Sequence, residues 1–300
     1  MVLGQMTTQV LTRRLETRDG RRLRVEVAGD GRRVVVVHVG SPNAGVLHDR
    51  WVQDAAARGL TLVAYDRPGY GESSPQPGRS VADCAADVRA ISDALGFERC
   101  GVWGFSGGGP HALACAALLD DLVAAAATIG SPAPFDAPGL DYLALMTDDA
   151  RRDRELFLSD REEWEREGRE QREQVLAWSF EEFAEQWSAG KSRGDRAMLH
   201  GEFGAWLHRA VGAALAPGDA GWTDDDIAIF RSSWGFDPAS VSIPVKVWHG
   251  LEDRFVPIDH GRWLAGNIPG AEAELRDHNG HFAVAAQRIG DVHDWLSRRL

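Results

Sequence analysis

The run Val34-Val35-Val36-Val37-His38-Val39 constrains this chain more than any other segment. Five valines in six positions cannot alternate a dry face with a wet one, so a strand made of them is buried on both sides. Such strands belong to parallel sheets covered by helices on both faces. The flanking pattern agrees. Residues 10–27 read as two strands about Arg18-Asp19-Gly20, an Asp-Gly hairpin turn. Helical patterns at 47–58, 81–95 and 108–119 alternate with strand patterns at 61–65, 101–105 and 123–129. The alternation resumes with strands at 245–248 and 273–276 and helices at 259–265 and 282–299. The expectation is an α/β fold with a mostly parallel central sheet flanked by helices.

The texture changes between 136 and 235. Strand alternation disappears, charges of both signs recur at helical intervals, and six tryptophans occur: Trp164, Trp178, Trp187, Trp206, Trp222 and Trp234. Residues 198–215 read as one helix with Leu199, Trp206 and Leu207 on its apolar side. Prolines mark the edges, with Pro132, Pro134 and Pro138 before and Pro238 and Pro244 after. The expected organisation is a core of residues 1–135 and 236–300, interrupted by a helical insertion over 136–235.

Bulk properties narrow the partners. A net charge of -12 and a pI near 5.3 oppose phosphate backbones and anionic membrane surfaces. Neither nucleic acid nor membrane is expected as a partner; a small molecule is. The N-terminal stretch lacks the apolar core of a secretory signal, and no run approaches a membrane span, so the expected compartment is the cytoplasm. Cys84, Cys100 and Cys115 read as reduced, buried thiols. No Cys/His spacing suits zinc, and no metal or cofactor is expected.

One short stretch carries chemistry. Gly104-Phe105-Ser106-Gly107-Gly108 falls between a strand pattern and a helix pattern. A serine at so sharp a turn projects its hydroxyl from the sheet, and small neighbours keep the strand and helix from colliding. A glycine-rich nucleotide loop with an incidental serine is the plainer alternative. Neither G-x-G-x-x-G nor a phosphate-loop Lys-Ser/Thr is present to support it. A nucleophilic serine needs a base, and the base needs an orienting acid. After the 245–248 strand come Glu252 and Asp253; after the 273–276 strand come His278 and His281. Acid and base groups past late strands meet at the carboxyl edge of an open α/β sheet.

Four motifs make the chain resemble α/β-hydrolase-fold proteins: HVGSPNAG at 38–45, DRPGYGES at 66–73, GFSGGG at 104–109, and HGLEDRFVP with NGHF near the end. The resemblance runs from the first hairpin to the last helix, apart from the insertion. It implies Ser106 as nucleophile, His281 as base through the Gly280-His281 pairing, and Asp253 as acid through its Gly-x-x-Asp spacing from Gly250. It implies an oxyanion hole built from the N–H groups of Gly107 and Ser41, with Val39 where such proteins commonly carry histidine. DRPGYGES is implied to brace the site loops. His38, His48, His111 and His249 read as structural, with a supporting role open to His111. The insertion is implied to form a helical lid, in which Trp178, Trp187 and Trp206 are candidates for touching substrate.

A serine at position 106 sets the chain apart from the similar epoxide hydrolases and haloalkane dehalogenases, which use aspartate, and from dienelactone hydrolases, which use cysteine. The implied reaction is acyl transfer to water from a small ester, thioester or lactone. The main rival is a proline-type aminopeptidase, in which Glu181, Glu182 and Glu185 would hold an amine; a solvated helix face is the simpler reading of those three. Carbon–carbon bond hydrolysis and perhydrolysis rank lower. A non-catalytic ligand-binding protein on the same fold is the alternative of a different class.

Overall fold

The structure is a computed structural model and describes residues 9–142, 148–276 and 279–300. Its strands are β1 (Val10–Glu16), β2 (Arg22–Ala28), β3 (Arg33–His38), β4 (Leu60–Tyr65), β5 (Cys100–Phe105), β6 (Val123–Ile129), β7 (Val245–Gly250) and β8 (Glu272–Arg276). They form one sheet in the order β1-β2-β4-β3-β5-β6-β7-β8. The first hairpin is antiparallel, β2 pairs antiparallel with β4, and every later pairing is parallel.

The valine run behaves as its composition dictates. Val35 and Val37 enter one apolar cluster and Val34 and Val36 the other, so β3 divides two cores. Helices α1 (Asp49–Ala57) and α11 (His281–Ser297) cover the first face. Helices α2 (Cys84–Leu95), α3 (Gly108–Leu118) and α10 (Ile258–Asn267) cover the second. All three cysteines are buried and free.

The chain moves outward from β3 to β4 and then returns to place β5 on the other side of β3. A crevice opens at such a reversal, beyond the carboxyl ends of the two diverging strands. The loop after β3 and the turn after β5 flank it.

Among the described residues between β6 and β7 are six α-helices, α4 (Asp148–Ser159), α5 (Arg161–Ala177), α6 (Phe180–Ser188), α7 (Arg193–Leu199), α8 (Glu202–Leu215) and α9 (Ala220–Phe230), and a short 3-10 turn at Pro238–Ser240. The single helix expected over 198–215 is instead two. Gly201 is extended (φ −112°, ψ −163°) and N-caps α8, so the helical hydrogen-bond ladder cannot pass through it. Gly204 then packs directly on the Leu199 carbonyl, where a methyl group would overlap.

Candidate active site

The turn after β5 is built by close contacts. Ser106 has φ +52°, the left-handed region that L-residues avoid. Its N–H donates to Ile129 O at 2.9 Å and its carbonyl accepts from Gly109 N at 2.9 Å, which hold it there. A Cβ at Gly104 would overlap the Gly108 carbonyl, and one at Gly108 would overlap the His38 carbonyl. The first and last glycines of the motif therefore let strand and helix touch. Ser106 itself is 6% exposed.

Two backbone segments meet beside it. A Cβ added at Gly107 would lie 3.3 Å from the Ser41 nitrogen, so the two backbone segments are in contact. The Gly40 carbonyl accepts from Arg67 Nη2 at 2.9 Å, and the Val39 carbonyl from Arg67 Nη1 at 2.6 Å. In a planar trans peptide the N–H points opposite its C=O. Binding Gly40 O to Arg67 thus turns the Ser41 N–H away from the guanidinium. The bond from Gly109 to Ser106 O does the same for the Gly107 N–H. Among the described residues, neither N–H donates to a protein acceptor. Ser41 Oγ is 3.0 Å from Tyr70 Oη, and the Ser41–Pro42 peptide is cis.

Arg67 comes from DRPGYGES, and its own partner lies in the insertion. Asp225 of α9 accepts from Arg67 at 2.6 Å and from Arg79 at 2.7 Å, and all three side chains are buried. Burial opposes the charge on Asp225, but the two guanidiniums hold its carboxyl well below the usual carboxylate range. His111 Nδ1 donates to Gly107 O at 3.0 Å. Burial, with Arg67 nearby, pushes His111 down to about 3, so it stays a neutral donor. Asp66 of the same motif accepts from Gly45 N at 2.7 Å and Glu72 N at 3.0 Å. The motif therefore braces the loop after β3 from both ends.

Asp253 follows β7, and His281 opens α11. His281 Nδ1 and Asp253 Oδ2 are 2.7 Å apart. An ionised carboxylate only accepts, so Nδ1 carries the proton and Nε2 keeps a lone pair. The other oxygen of Asp253 accepts from Phe255 N at 2.9 Å and Val256 N at 2.8 Å. Burial opposes ionisation of Asp253, yet His281 and His249 hold its carboxyl well below the usual range. His249 Nε2 donates to Val256 O at 2.8 Å, closing the same loop. The His281 ring rests on Phe105, the residue before Ser106, at 4.9 Å and stacks on Phe255 at 5.0 Å. His281 and Asp253 thus pair at the edge of the sheet where β5 ends, with the His281 ring against Phe105, the residue before Ser106. Asp277 and His278 lie outside the described residues, and Glu252 is exposed.

The inserted helices border this edge. Ile229 of α9 would meet a Cβ on Gly107 at 3.1 Å. A cavity of about 580 Å³ opens among α4, α5 and α9, lined in part by Trp164, Trp222 and Asp226. Its wall includes Phe255, the ring stacked on His281. Burial pushes Asp226 up to about 6 despite its ion pair with Arg231.

The tryptophans expected near substrate have other neighbours. Trp206 is buried, donates to Val46 O at 2.9 Å and packs edge-on against Trp51 at 4.7 Å, tying α8 to α1. Trp178 is half-buried and its carbonyl accepts from His208. Trp187 stacks on Phe183 and lies 6.1 Å from Phe282, the residue after His281. Glu181, Glu182 and Glu185 are exposed, and Glu182 closes a capping box with Ser179. Asp195 and Asp225 lie in none of the four motifs, and no signal in the sequence places Trp222 or Phe255 at the cavity.

Residues 33–285 match the profile of the alpha/beta hydrolase fold, and the chain belongs to that family. It is a hydrolase. The 2-hydroxy-6-oxo-6-phenylhexa-2,4-dienoate hydrolase of Comamonas testosteroni is 27% identical over 263 residues, covering 85% of this chain and 83% of that protein. A bromoperoxidase from Bacillus anthracis superposes with a TM-score of 0.70 at 21% identity, covering 96% of this chain and 100% of that one. An enol-lactonase from Burkholderia xenovorans gives 0.67 at 18% identity, covering 95% and 100%. Those two likenesses speak to the fold.

Proposed function

We propose that the protein is a serine hydrolase that cleaves a small ester, thioester or lactone through an acyl-enzyme on Ser106. The observation that carries this reading is the 2.7 Å bond from His281 to buried Asp253, beside a serine held at positive φ. His281 Nε2 takes the proton of Ser106 as Oγ attacks the carbonyl carbon. The oxyanion that forms accepts from the N–H groups of Gly107 and Ser41, which Arg67 and Gly109 aim. His281 then protonates the leaving oxygen or sulfur. A water deprotonated by the same imidazole frees the acid. Asp253 fixes the tautomer and stabilises the imidazolium. Residues 136–235 act as the lid of a core made from 1–135 and 236–300, and the cavity at Phe255 is the approach for substrate.

Carbon–carbon bond hydrolysis is the second reading, favoured by the named activity of the Comamonas relative. The exposure of Glu181, Glu182 and Glu185 argues against amine capture by these carboxylates, and so against the aminopeptidase. Purified protein should be assayed on p-nitrophenyl butyrate, proline p-nitroanilide and 2-hydroxy-6-oxo-6-phenylhexa-2,4-dienoate. The expected result is ester turnover that disappears in Ser106→Ala. Turnover of the dienoate alone would select the second reading. No turnover of any substrate, with no fluorophosphonate labelling of Ser106, would refute catalysis at this site.

A further inference from the structure

Helix α11 begins at His281 with no cap of its own. Its N-cap is Gly280, which has no side chain to accept from the first turn. The acceptor arrives from α7 of the inserted block. Asp195 Oδ2 accepts from His281 N at 2.9 Å, and Oδ1 accepts from Phe282 N at 2.7 Å and Ala283 N at 2.8 Å. Asp195 is fully buried. A Cβ at Gly280 would overlap its carboxylate, so the glycine before the base is the space Asp195 occupies. Asp195 is held in turn by Ser192, whose Oγ accepts from Asp195 N at 3.1 Å.

The consequence is electrostatic as well as steric. A helix N-terminus carries partial positive charge and disfavours a cation on its first residue. His281 must become a cation during the reaction proposed above, on which this inference rests. A carboxylate against the same N–H groups offsets that field. We propose that Asp195 is a positioning residue for His281: it fixes the backbone that carries the imidazole and stabilises the imidazolium from the helix N-terminus, while Asp253 binds Nδ1. Burial raises Asp195 above the ordinary carboxylate range, and the bond from Ala283 N and the charge of His281 draw it back. The His281 ring meets Asp253, which His249 approaches at 3.4 Å, and Lys191 lies 5.1 Å from the Phe255 ring that stacks on His281. The inserted block thereby completes the catalytic machinery as well as covering it.

The test is Asp195→Asn, which keeps the shape and removes the charge. In a Ser106→Ala background, the titration midpoint of the His281 ring is followed by NMR with and without the Asn substitution. The midpoint should fall by about half a pH unit. In the active protein, kcat should fall at least about tenfold with KM within about twofold. An unmoved midpoint or an unchanged kcat overturns the proposal. If the wild type turns over nothing, the hydrolase reading fails, while the titration still decides the role of Asp195. If Asp195→Asn does not fold, Ser192→Ala loosens the support and leaves the charge. It should lower kcat several-fold at constant KM, and wild-type kcat would overturn the proposal.

Discussion

At Asp253 and His281 the proposed chemistry depends on one proton being on Nδ1. Asp253→Asn presents a donor where an acceptor stood, and the imidazole turns to the wrong tautomer. We expect kcat to fall by about 10⁴-fold with little change in fold, read from ester turnover and circular dichroism. Loss of less than tenfold would mean that Asp253 does not orient His281. The positions of Ser106, Asp253 and His281, the proposed triad, were legible in the sequence because each sits at a fixed short spacing from a glycine that its geometry requires: Gly104 and Gly108, Gly250, and Gly280. Asp195 and Asp225 were not. Their partners lie 86 and 158 residues away, and in sequence they are two of 45 acidic residues. Ser192-Arg193-Gly194-Asp195 announces a helix start by its spacing, but the carboxylate turns to another helix instead of its own.

On the scale of elements, α9 and the loop after β3 are joined by one buried carboxylate between two buried guanidiniums. Asp225→Ala would leave Arg67 and Arg79 charged and dry. We expect it to destabilise the fold by about 3–5 kcal/mol in urea unfolding. Surviving protein should also react slowly with fluorophosphonate, because Arg67 would no longer aim the Ser41 N–H. A loss under 1 kcal/mol would contradict this account of the network. Trp206→Ala, which empties a site between α8 and α1, should cost about 3–5 kcal/mol by the cavity it leaves. The strands and core helices were legible because burial on two faces and glycine-marked ends leave a local trace. The break in 198–215 was missed because Gly201 interrupts an apolar pattern that is continuous by periodicity. Trp206 was hard to place for a similar reason, since a helical stripe of large apolar residues has the same spacing whether it meets substrate or, as here, another helix.

For the whole molecule, pH acts mainly through buried neutral histidines. Burial lowers His38, His48, His111, His260 and His293; His48 and His260 fall to about 4 and His111 to about 3. Below about pH 6.5 the unfolded chain therefore binds protons that the folded chain refuses, and stability falls as pH falls. Burial raises Asp66, Asp87, Asp195 and Asp226, which pull the other way, Asp226 to about 6. The urea midpoint should be lower at pH 5 than at pH 7.5, and an equal or higher midpoint at pH 5 would contradict the assignment of neutral histidines. Two buried aspartates of the inserted block bind the His281 backbone and the arginine that holds Val39 and Gly40, so in the proposed mechanism the block and the sheet act as one unit around Ser106. The most direct test of that unit is rapid quench after mixing with p-nitrophenyl butyrate, followed by peptide mass mapping. The account predicts a butyryl ester on Ser106 that forms and decays with turnover and is absent from Ser106→Ala. Full turnover by Ser106→Ala, or an acyl group on any other residue, would contradict it.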